Sequence, residues 1–430
     1  MTKNIFVPGL DEFNLRRLQS LPDAADYTFH QLLSHEELQP SDKDPRLVEH
    51  VLNSALEQLA AFDRPIDAIV GYWDYPISTM LPFLCEKYGV PSASLRSVLM
   101  CEHKYWSRVV QQEIIPACVP QFQRVDPFDD DALATITLDF PFWIKPVKAH
   151  SSQLSFKIHT AEEFHTAIQK IREGIGHFAQ IFNVLLQHTD LDMPADLISV
   201  KGQFCIIEEP MQGRQCTIEG FVFDGVPHTY GLIDTVLNDG LPTFARYQYP
   251  STLPASVQEC IEGAARKVMT HIGYNHALFN IEFFYDAAQD KIWLLEINTR
   301  TSQSHCNLFE KVDGMSNLGI MVAVGLGKRP LLKHREGEYG CAAKCFLRRF
   351  DGDALVTAVP TAEELDRIEQ QFPGTLVKIN AKAGKRLSDM PNQDPYSYQL
   401  GEIFLGARDE AELLEKLHTC EEILTFRFEA

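Results

Sequence analysis

Two glutamates and an asparagine sit where a buried hairpin needs only apolar and solvated residues. The stretch LFNIEFFY-DAAQD-KIWLLEINTR, residues 278–300, is rich in Phe, Ile, Trp and Leu on both flanks, the composition of buried strands. Taking Asp286–Asp290 as the loop pairs Tyr285 with Lys291. It puts Asn280, Glu282, Glu296 and Asn298 on one face and sets Glu282 diagonally from Glu296. Diagonal neighbours lie roughly 7–8 Å apart, close enough for two carboxylates to share a cation. Uncompensated carboxylates in such a setting are costly. A hard cation such as Mg²⁺, which takes one or two carboxylates plus substrate phosphates, relieves that cost.

Cations occur upstream. Lys104 and Arg108 are four apart in CEHKYWSR and share a helix face, which alone reads as a solvated surface. Lys145 lies inside FPFWIKPV, a run that otherwise reads as buried strand, and a buried lysine needs a counter-charge. A phosphate would serve. The segment KAHSSQLS after it, with Ser151 and Ser152, is a polar loop able to lay hydroxyls and N–H groups over phosphates. In CIIEEPMQGRQCTIEG, Glu208-Glu209-Pro210-Met211 ends a strand and offers backbone groups beyond its last paired residue. By itself it reads equally as a strand end with two solvated acids.

The elements that must hold these residues follow an α/β pattern. Strands are expected over Asn4–Val7 and Asp67–Gly71, with helices over Pro45–Phe62 and Ser78–Tyr88, a strand–helix alternation of the doubly wound kind. Val7-Pro8-Gly9-Leu10 is not a GxGxxG turn, which argues against a dinucleotide site. One helix is expected over Cys101–Ile115, then strands at Pro141–Val147 and Leu154–His159 and a helix from Ala161 to about Glu173. Further strands are expected at Phe204–Glu208 and Thr217–Phe223, with a helix over Ala255–Ile272. Thr229–Gln248 is read as specificity-setting loop. Ala342–Arg349 and Glu402–Gly406 read as strands, Thr361–Gln371 and Asp409–Leu424 as helices. The chain of 430 residues then divides into residues 1–100, 101–330 with a lid over about 141–210, and 331–430.

A formal charge of -20 argues against a general nucleic-acid or anionic-membrane surface, while leaving room for a local positive pocket. No apolar run has spanning length, and the N-terminus lacks a secretory signal. Ten cysteines without CxxC pairs read as buried free thiols of a reducing cytoplasm.

In this order, helix lysine, strand lysine, polar loop, EExx hinge and E…ExNxR hairpin, the chain resembles the ATP-grasp superfamily over nearly its whole length. YSYQLGEIFLGARDEAELLEKLHTCEEIL is similar to the C-terminal subdomain of biotin carboxylases and L-amino-acid ligases. The resemblance implies an α/β ATP-grasp fold with a doubly wound N-terminal domain and a biotin-carboxylase-like C-terminal subdomain. It implies ATP as nucleotide, with Lys104 and Lys145 on its phosphates and the Glu208, Glu209 and Met211 hinge at the adenine. Glu282, Glu296 and Asn298 would ligate Mg²⁺, with Mn²⁺ as a substitute, and Arg300 would stabilise the acyl phosphate or tetrahedral intermediate. Members are often homodimers.

Several positions depart from the family pattern. Ala149–Phe156 has no glycine, so Ser151 and Ser152 would replace backbone contacts to phosphate. Gln215 stands where an acid commonly holds the ribose. Glu219 matches a glutamate found near substrate, or is a paired strand acid; His305 reads as an acid–base group or a structural histidine. Biotin carboxylases follow N-T-R with a glutamine and a glutamate that manage bicarbonate, whereas this chain has Ser302 and Ser304. The resulting expectation is a carboxylate–amine ligase that forms an amide through an acyl phosphate, with an amino acid as one small-molecule substrate. A non-catalytic nucleotide-binding regulator and a bicarbonate-activating enzyme stand as alternatives.

Overall fold

The computed structural model describes residues 2–38, 47–149, 153–187, 195–241, 243–390, 393–394 and 396–429. Ser151 and Ser152 lie outside them. The first unit contains β1 (Lys3–Pro8), α1 (Glu12–Gln19), β2 (Tyr27–Leu32), α2 (His35–Leu38), α3 (Leu47–Ala60), β3 (Ala68–Ile69) and α4 (Ile77–Tyr88). Its strands form a parallel sheet in the order β2-β1-β3. The expected alternation is present, and β2, a polar-looking strand, completes it. Apolar side chains of β1 and β3 pack onto the cluster that contains Leu318, Met321 and Val322 from far downstream.

The expected helix over Cys101–Ile115 is two helices, α5 (Leu95–Glu102) and α6 (Lys104–Ile114). His103 breaks them, because its ring accepts the Trp106 N–H as the N-cap of α6. Lys104 therefore opens a helix.

A four-stranded sheet follows, β4-β7-β5-β6, over the region expected as the lid, built from β4 (Phe122–Val125), β5 (Phe142–Pro146), β6 (Phe156–Ile158) and β7 (Cys205–Glu208). Phe142, Ile144, Cys205 and Ile207 pack on α7 (Ala161–Gln187). That helix runs well past the expected end at about Glu173, through Gly174 and Gly176. Gly174 makes room: a Cβ there would lie 3.0 Å from Leu154. Leu154 itself has φ 54°, a left-handed conformation that costs a leucine about 1–2 kcal/mol. The glycine-free loop thus turns as a glycine would, at the expense of strain. The short α8 (Ala195–Ile198) precedes β7.

Residues 209–213 connect the lid to an eight-stranded sheet, β12-β11-β8-β9-β10-β13-β16-β15. Its first part is β8 (Arg214–Phe223), β9 (Val226–Leu237), β10 (Phe244–Tyr249), α9 (Ala255–Ile272), β11 (Ala277–Asp286) and β12 (Lys291–Asn298). Thr229–Gln248 is therefore mostly sheet rather than loop. Cys216, Ile218, Phe279, Ile281, Phe283, Leu294 and Ile297 form an apolar face against Val257, Ile261 and Val268 of α9. Strand alternation then forces Gln215, Thr217, Glu219, Asn280, Glu282, Glu296 and Asn298 onto the opposite face.

After α10 (Cys306–Asp313) and α11 (Asn317–Gly325), the chain rejoins this sheet. The remaining elements are β13 (Cys341–Arg349), β14 (Leu355–Ala358), α12 (Ala362–Gln371), β15 (Leu376–Ile379), β16 (Tyr398–Ala407), α13 (Glu410–Ile423) and β17 (Arg427–Glu429). β13 pairs with β10, so the C-terminal strands extend the central sheet. All ten cysteines are free thiols and only Cys260 is exposed. No helix among the described residues is long and apolar enough to cross a membrane.

Gly213, at the end of the lid connection, has φ 123°, and a Cβ there would fall 2.2 Å from the Tyr285 carbonyl oxygen. Gly213→Ala should therefore destabilise the protein by about 2–4 kcal/mol, read as a lower urea midpoint.

Candidate functional site

The hairpin is tighter than its sequence suggests. Asp286, not Tyr285, pairs with Lys291, and a bulge between Glu282 and Phe283 shifts the register. Without the bulge, Leu295 would oppose Glu282. With it, Glu282 faces Glu296 directly and Asn280 faces Asn298. The shared polar face is present, but the carboxylates are direct rather than diagonal neighbours, with Cβ atoms about 4.5–5.5 Å apart. β8 adds a third row, with Glu219 opposite Asn280 and Thr217 opposite Glu282.

Each carboxylate on this face has different company. Glu296 pairs with Lys104, Nζ to Oε1 2.8 Å, and the same Nζ donates to the Ala149 carbonyl at 3.1 Å. Burial opposes the Glu296 charge, but Lys104 holds its carboxyl below the usual range. Glu282 receives only amides: Gln215 Nε2 at 2.9 Å and Asn298 Nδ2 at 3.3 Å. Among the described residues it has no ion-pair partner. Burial first, and the Glu296 charge second, push its carboxyl up to about 7. Asn298 Nδ2 also donates to Asn280 Oδ1 at 2.9 Å, and Asn280 in turn donates to the Arg300 carbonyl at 2.9 Å. The Asn298 amide oxygen is left as a donor atom for a cation.

No cluster of three or more His, Cys, Asp or Glu side chains is arranged for a metal among the described residues. Two carboxylates and one amide oxygen are instead an all-oxygen set suited to a hard divalent cation that keeps water or phosphate in its other positions. The raised Glu282 carboxyl fits that set, since a cation is the charge it lacks.

Lysines close the opposite wall. Lys145 projects from β5 to Glu208 Oε2 at 2.5 Å, and Arg108 reaches Glu208 Oε1 at 2.5 Å from α6. Arg108 also donates to the carbonyls of Leu294 and Leu295 at 2.7 and 2.9 Å, tying α6 to the bulged strand. The Glu208 side chain is thus a buried counter-ion, not a solvated strand end. Burial works against its charge, but Arg108 and Lys145 together hold it at about 2. Glu209 turns the other way, its Oε1 accepting the Gln121 N–H at 3.0 Å. Met211 lies in the lid connection, outside any helix or strand. A small cavity between lid and sheet is lined by Lys104, Arg108, Lys145, Glu208, Leu295 and Glu296.

Arg300, just past the hairpin, donates Nη2 to Asp74 Oδ2 at 2.5 Å, and its buried Nε–H has no partner among the described residues. Asp74 comes from the GYWDYP turn of the first unit. Despite burial, Arg300 and then Lys148 hold its carboxyl far below the usual range. Glu219 accepts from His305 Nδ1 at 2.8 Å, from the Ser302 N–H at 3.3 Å and from the Tyr230 hydroxyl at 3.3 Å. Burial raises the Glu219 carboxyl, with His305 opposing. Both side chains are almost inaccessible, Glu219 at 0% and His305 at 3% exposure.

Sequence reasoning missed Asp74, Glu102, Lys148 and the bonding of Gln215 to Glu282. Asp74 left no signal, being one acid in an N-terminal loop more than two hundred positions from Arg300 in the sequence. Lys148 was visible only as part of a polar loop, whereas its side chain is buried against Glu102.

The Glu208 clamp makes an energetic prediction. Its folded carboxyl lies below the unfolded one, so the clamp stabilises fully above about pH 4.5 and is lost as pH falls toward 2. Glu208→Ala leaves two buried cations unpaired and should cost about 3–5 kcal/mol at pH 7, measured by urea denaturation. Glu208→Gln, which keeps acceptors, should cost less.

Residues 138–307 match the ATP-grasp domain family. No curated protein sequence matches the chain. The L-amino acid ligase from Bacillus licheniformis superposes with a TM-score of 0.73 at 13% identity, covering 100% of this chain and 99% of its own. Biotin carboxylase from Campylobacter jejuni, solved as a β,γ-ATP complex, gives 0.67 at 14% identity, with 100% and 92% covered. Phosphoribosylglycinamide synthetase from Anaerococcus prevotii gives 0.64 at 12% identity, with both chains fully covered. The chain has the multidomain α/β ATP-grasp fold, and the family match lies within it at residues 138–307.

Proposed function

We propose that the protein is an ATP-dependent carboxylate–amine ligase that forms an amide bond, with an amino acid as one substrate, and releases ADP and phosphate. The observation that carries this reading is the Glu282–Glu296 pair. One carboxylate is balanced by Lys104, the other has only amides, and its carboxyl sits near 7. That imbalance suits a divalent cation that arrives with a polyphosphate.

Lys104 and Lys145, each held by a carboxylate, would turn to the nucleotide phosphates, which compete with Glu296 and Glu208 for them. Glu282, Glu296 and Asn298 would hold Mg²⁺, which would supply positive charge at the transferred phosphoryl group. The 209–213 connection, with Glu209 and Met211, borders the nucleotide base, and Gln215 orients Glu282. The γ-phosphoryl group passes to a substrate carboxylate oxygen, and ADP leaves. The amine nitrogen then bonds to the acyl carbon, the C–O bond to phosphate breaks and inorganic phosphate departs. Arg300, its Nε–H unpartnered, donates to the charged oxygens of that centre.

Glu219 and His305 we place as a positioning pair rather than as groups touching substrate. They are buried, and Glu219 accepts the Ser302 N–H two residues beyond Arg300. Amide formation is favoured over bicarbonate activation by Ser302 and Ser304. Ser304 offers no carboxylate and accepts a hydrogen bond from Lys344 at 3.0 Å.

Incubation with Mg-ATP and pooled amino acids, read by phosphate release and mass spectrometry of products, tests the proposal. A condensed product with stoichiometric ADP is expected; tight ATP binding with no turnover for any acid–amine pair would refute it in favour of a regulator. Glu296→Gln should lower turnover by about 10²-fold or more by weakening the cation site. A third test uses pH. Glu282 has a raised folded carboxyl, so the metal-free protein should lose stability as pH rises from about 4.5 through 7. Mg²⁺ should therefore raise the melting temperature more at pH 8 than at pH 6. Equal shifts at both pH values, or the same gain in Glu282→Gln, would argue against Glu282 as a ligand.

A further inference from the structure

One buried carboxylate takes no part in the chemistry above. Glu102 ends α5, two residues before Lys104, and is 7% exposed. Its Oε1 accepts the Thr299 hydroxyl at 2.5 Å. Its Oε2 accepts the Thr79 hydroxyl at 2.6 Å and Lys148 Nζ at 2.5 Å. These donors come from three different parts of the fold. Thr79 belongs to α4 of the first unit, Lys148 follows β5 at the base of the polar loop, and Thr299 lies between Asn298 and Arg300.

The neighbourhood is fixed on every side. Lys148 Nζ also sits 4.2 Å from the centre of the Tyr75 ring, beside Asp74. His103, next to Glu102, is fully buried, stacks on Trp106 with centroids 4.0 Å apart, and bonds the Val200 carbonyl at 3.0 Å. Lys104 is then tied back to the lid, its N–H donating to the Val147 carbonyl at 2.9 Å. A three-residue turn, 102–104, therefore touches the first unit, the lid base and the end of the catalytic hairpin.

Stability alone is a poor reason for such a pair. Burying a glutamate and a lysine carries a desolvation cost that their attraction roughly offsets, and an apolar pair of similar size is commonly no worse. What the pair supplies is registration, since a charged, multiply bonded group tolerates few geometries. We propose that Glu102 is a positioning residue: through Lys148, Thr79 and Thr299 it locks the base of the polar loop and the Asn298–Arg300 segment in register with Lys104. The cations that meet phosphate and acyl phosphate are then preorganised before substrate arrives. The purpose of this lock rests on the ligase reading, but the lock itself is testable without it.

The experiment uses the full chain and three variants: Glu102→Gln, which keeps an acceptor for the threonines, Lys148→Met, and the two combined. Melting temperature, hydrogen exchange of the amides at 153–156 and 299–302, and steady-state kinetics with Mg-ATP are measured. The single variants should melt lower, because each leaves one buried charge unpaired. The double variant should regain most of the melting temperature, yet exchange at both segments should remain at least about fivefold faster than in the parent protein. Its kcat/KM should stay at least about tenfold down. Recovery of exchange protection and activity along with stability would overturn the proposal and leave Glu102 a structural group. Parent-like exchange in the singles would also overturn it. If the parent protein shows no turnover, the ligase reading fails, and the exchange data still decide whether the lock exists.

Discussion

Two carboxylates facing each other across one strand pair set the terms for this structure. Placed on a sheet whose other face is a packed apolar core, Glu282 and Glu296 cannot move apart, and water cannot fully screen them. Each charge nearby answers to that constraint. Lys104 comes from the start of a helix to meet Glu296, while amides, not cations, are arranged around Glu282. The result is a site short of one positive charge at a defined place, and a divalent cation with its phosphates is the partner of fitting size and hardness.

The same logic runs through the opposite wall with the sign reversed. Lys145 would be a buried cation without relief, and Glu208 supplies it, shared with Arg108. Arg108 also donates to Gln111 Oε1 and to the carbonyls of Leu294 and Leu295, at the bulge that brings Glu296 opposite Glu282. The lid lysine, the helix arginine and the hairpin register are therefore parts of one bonded chain. On the proposed function, a nucleotide phosphate between Lys104 and Lys145 would meet cations whose partners are carboxylates, so that binding would exchange one set of ion pairs for another rather than create charge contacts from water. Such an exchange is cheap in desolvation and selective for groups of high charge density.

Much of this was legible in the sequence where local pattern decides. The α9 helix, the β11–β12 hairpin and the shared face of Asn280, Glu282, Glu296 and Asn298 follow from apolar periodicity, and so does the strand bearing Lys145. The direct opposition of the two glutamates was not legible, because a one-residue bulge leaves no mark in composition. Nor was the break at His103, whose ring serves as cap where serine or aspartate is usual. β9 and β10 occupy the stretch expected as loop, and Gly231, Asp234 and Arg246 interrupt their apolar runs. Gly231 is required by Phe309, whose ring would stand 2.3 Å from a Cβ. Asp234 is answered by Ser251, Thr252 and Arg214. Contacts between distant segments, Asp74 with Arg300 and Glu102 with Lys148, lie beyond any local rule.

Those long-range contacts also tie distant parts of the chain to the segment that follows the hairpin. Arg300 is gripped by Asp74 from the first unit, and Thr299 and Lys148 meet on Glu102. On the far side, Lys344 of β13 pairs with Glu402 and reaches Ser304. The segment from Asn298 to His305 is thus held from the front by the first unit, from below by Glu219, and from behind by the strands that extend the sheet. A short irregular segment has no hydrogen-bond ladder of its own to keep it rigid, so its geometry is only as good as the side chains that bind it. Here those side chains are charged, and Glu102, Glu219 and Lys344 among them are buried, so the groups that fix the segment themselves tolerate few geometries.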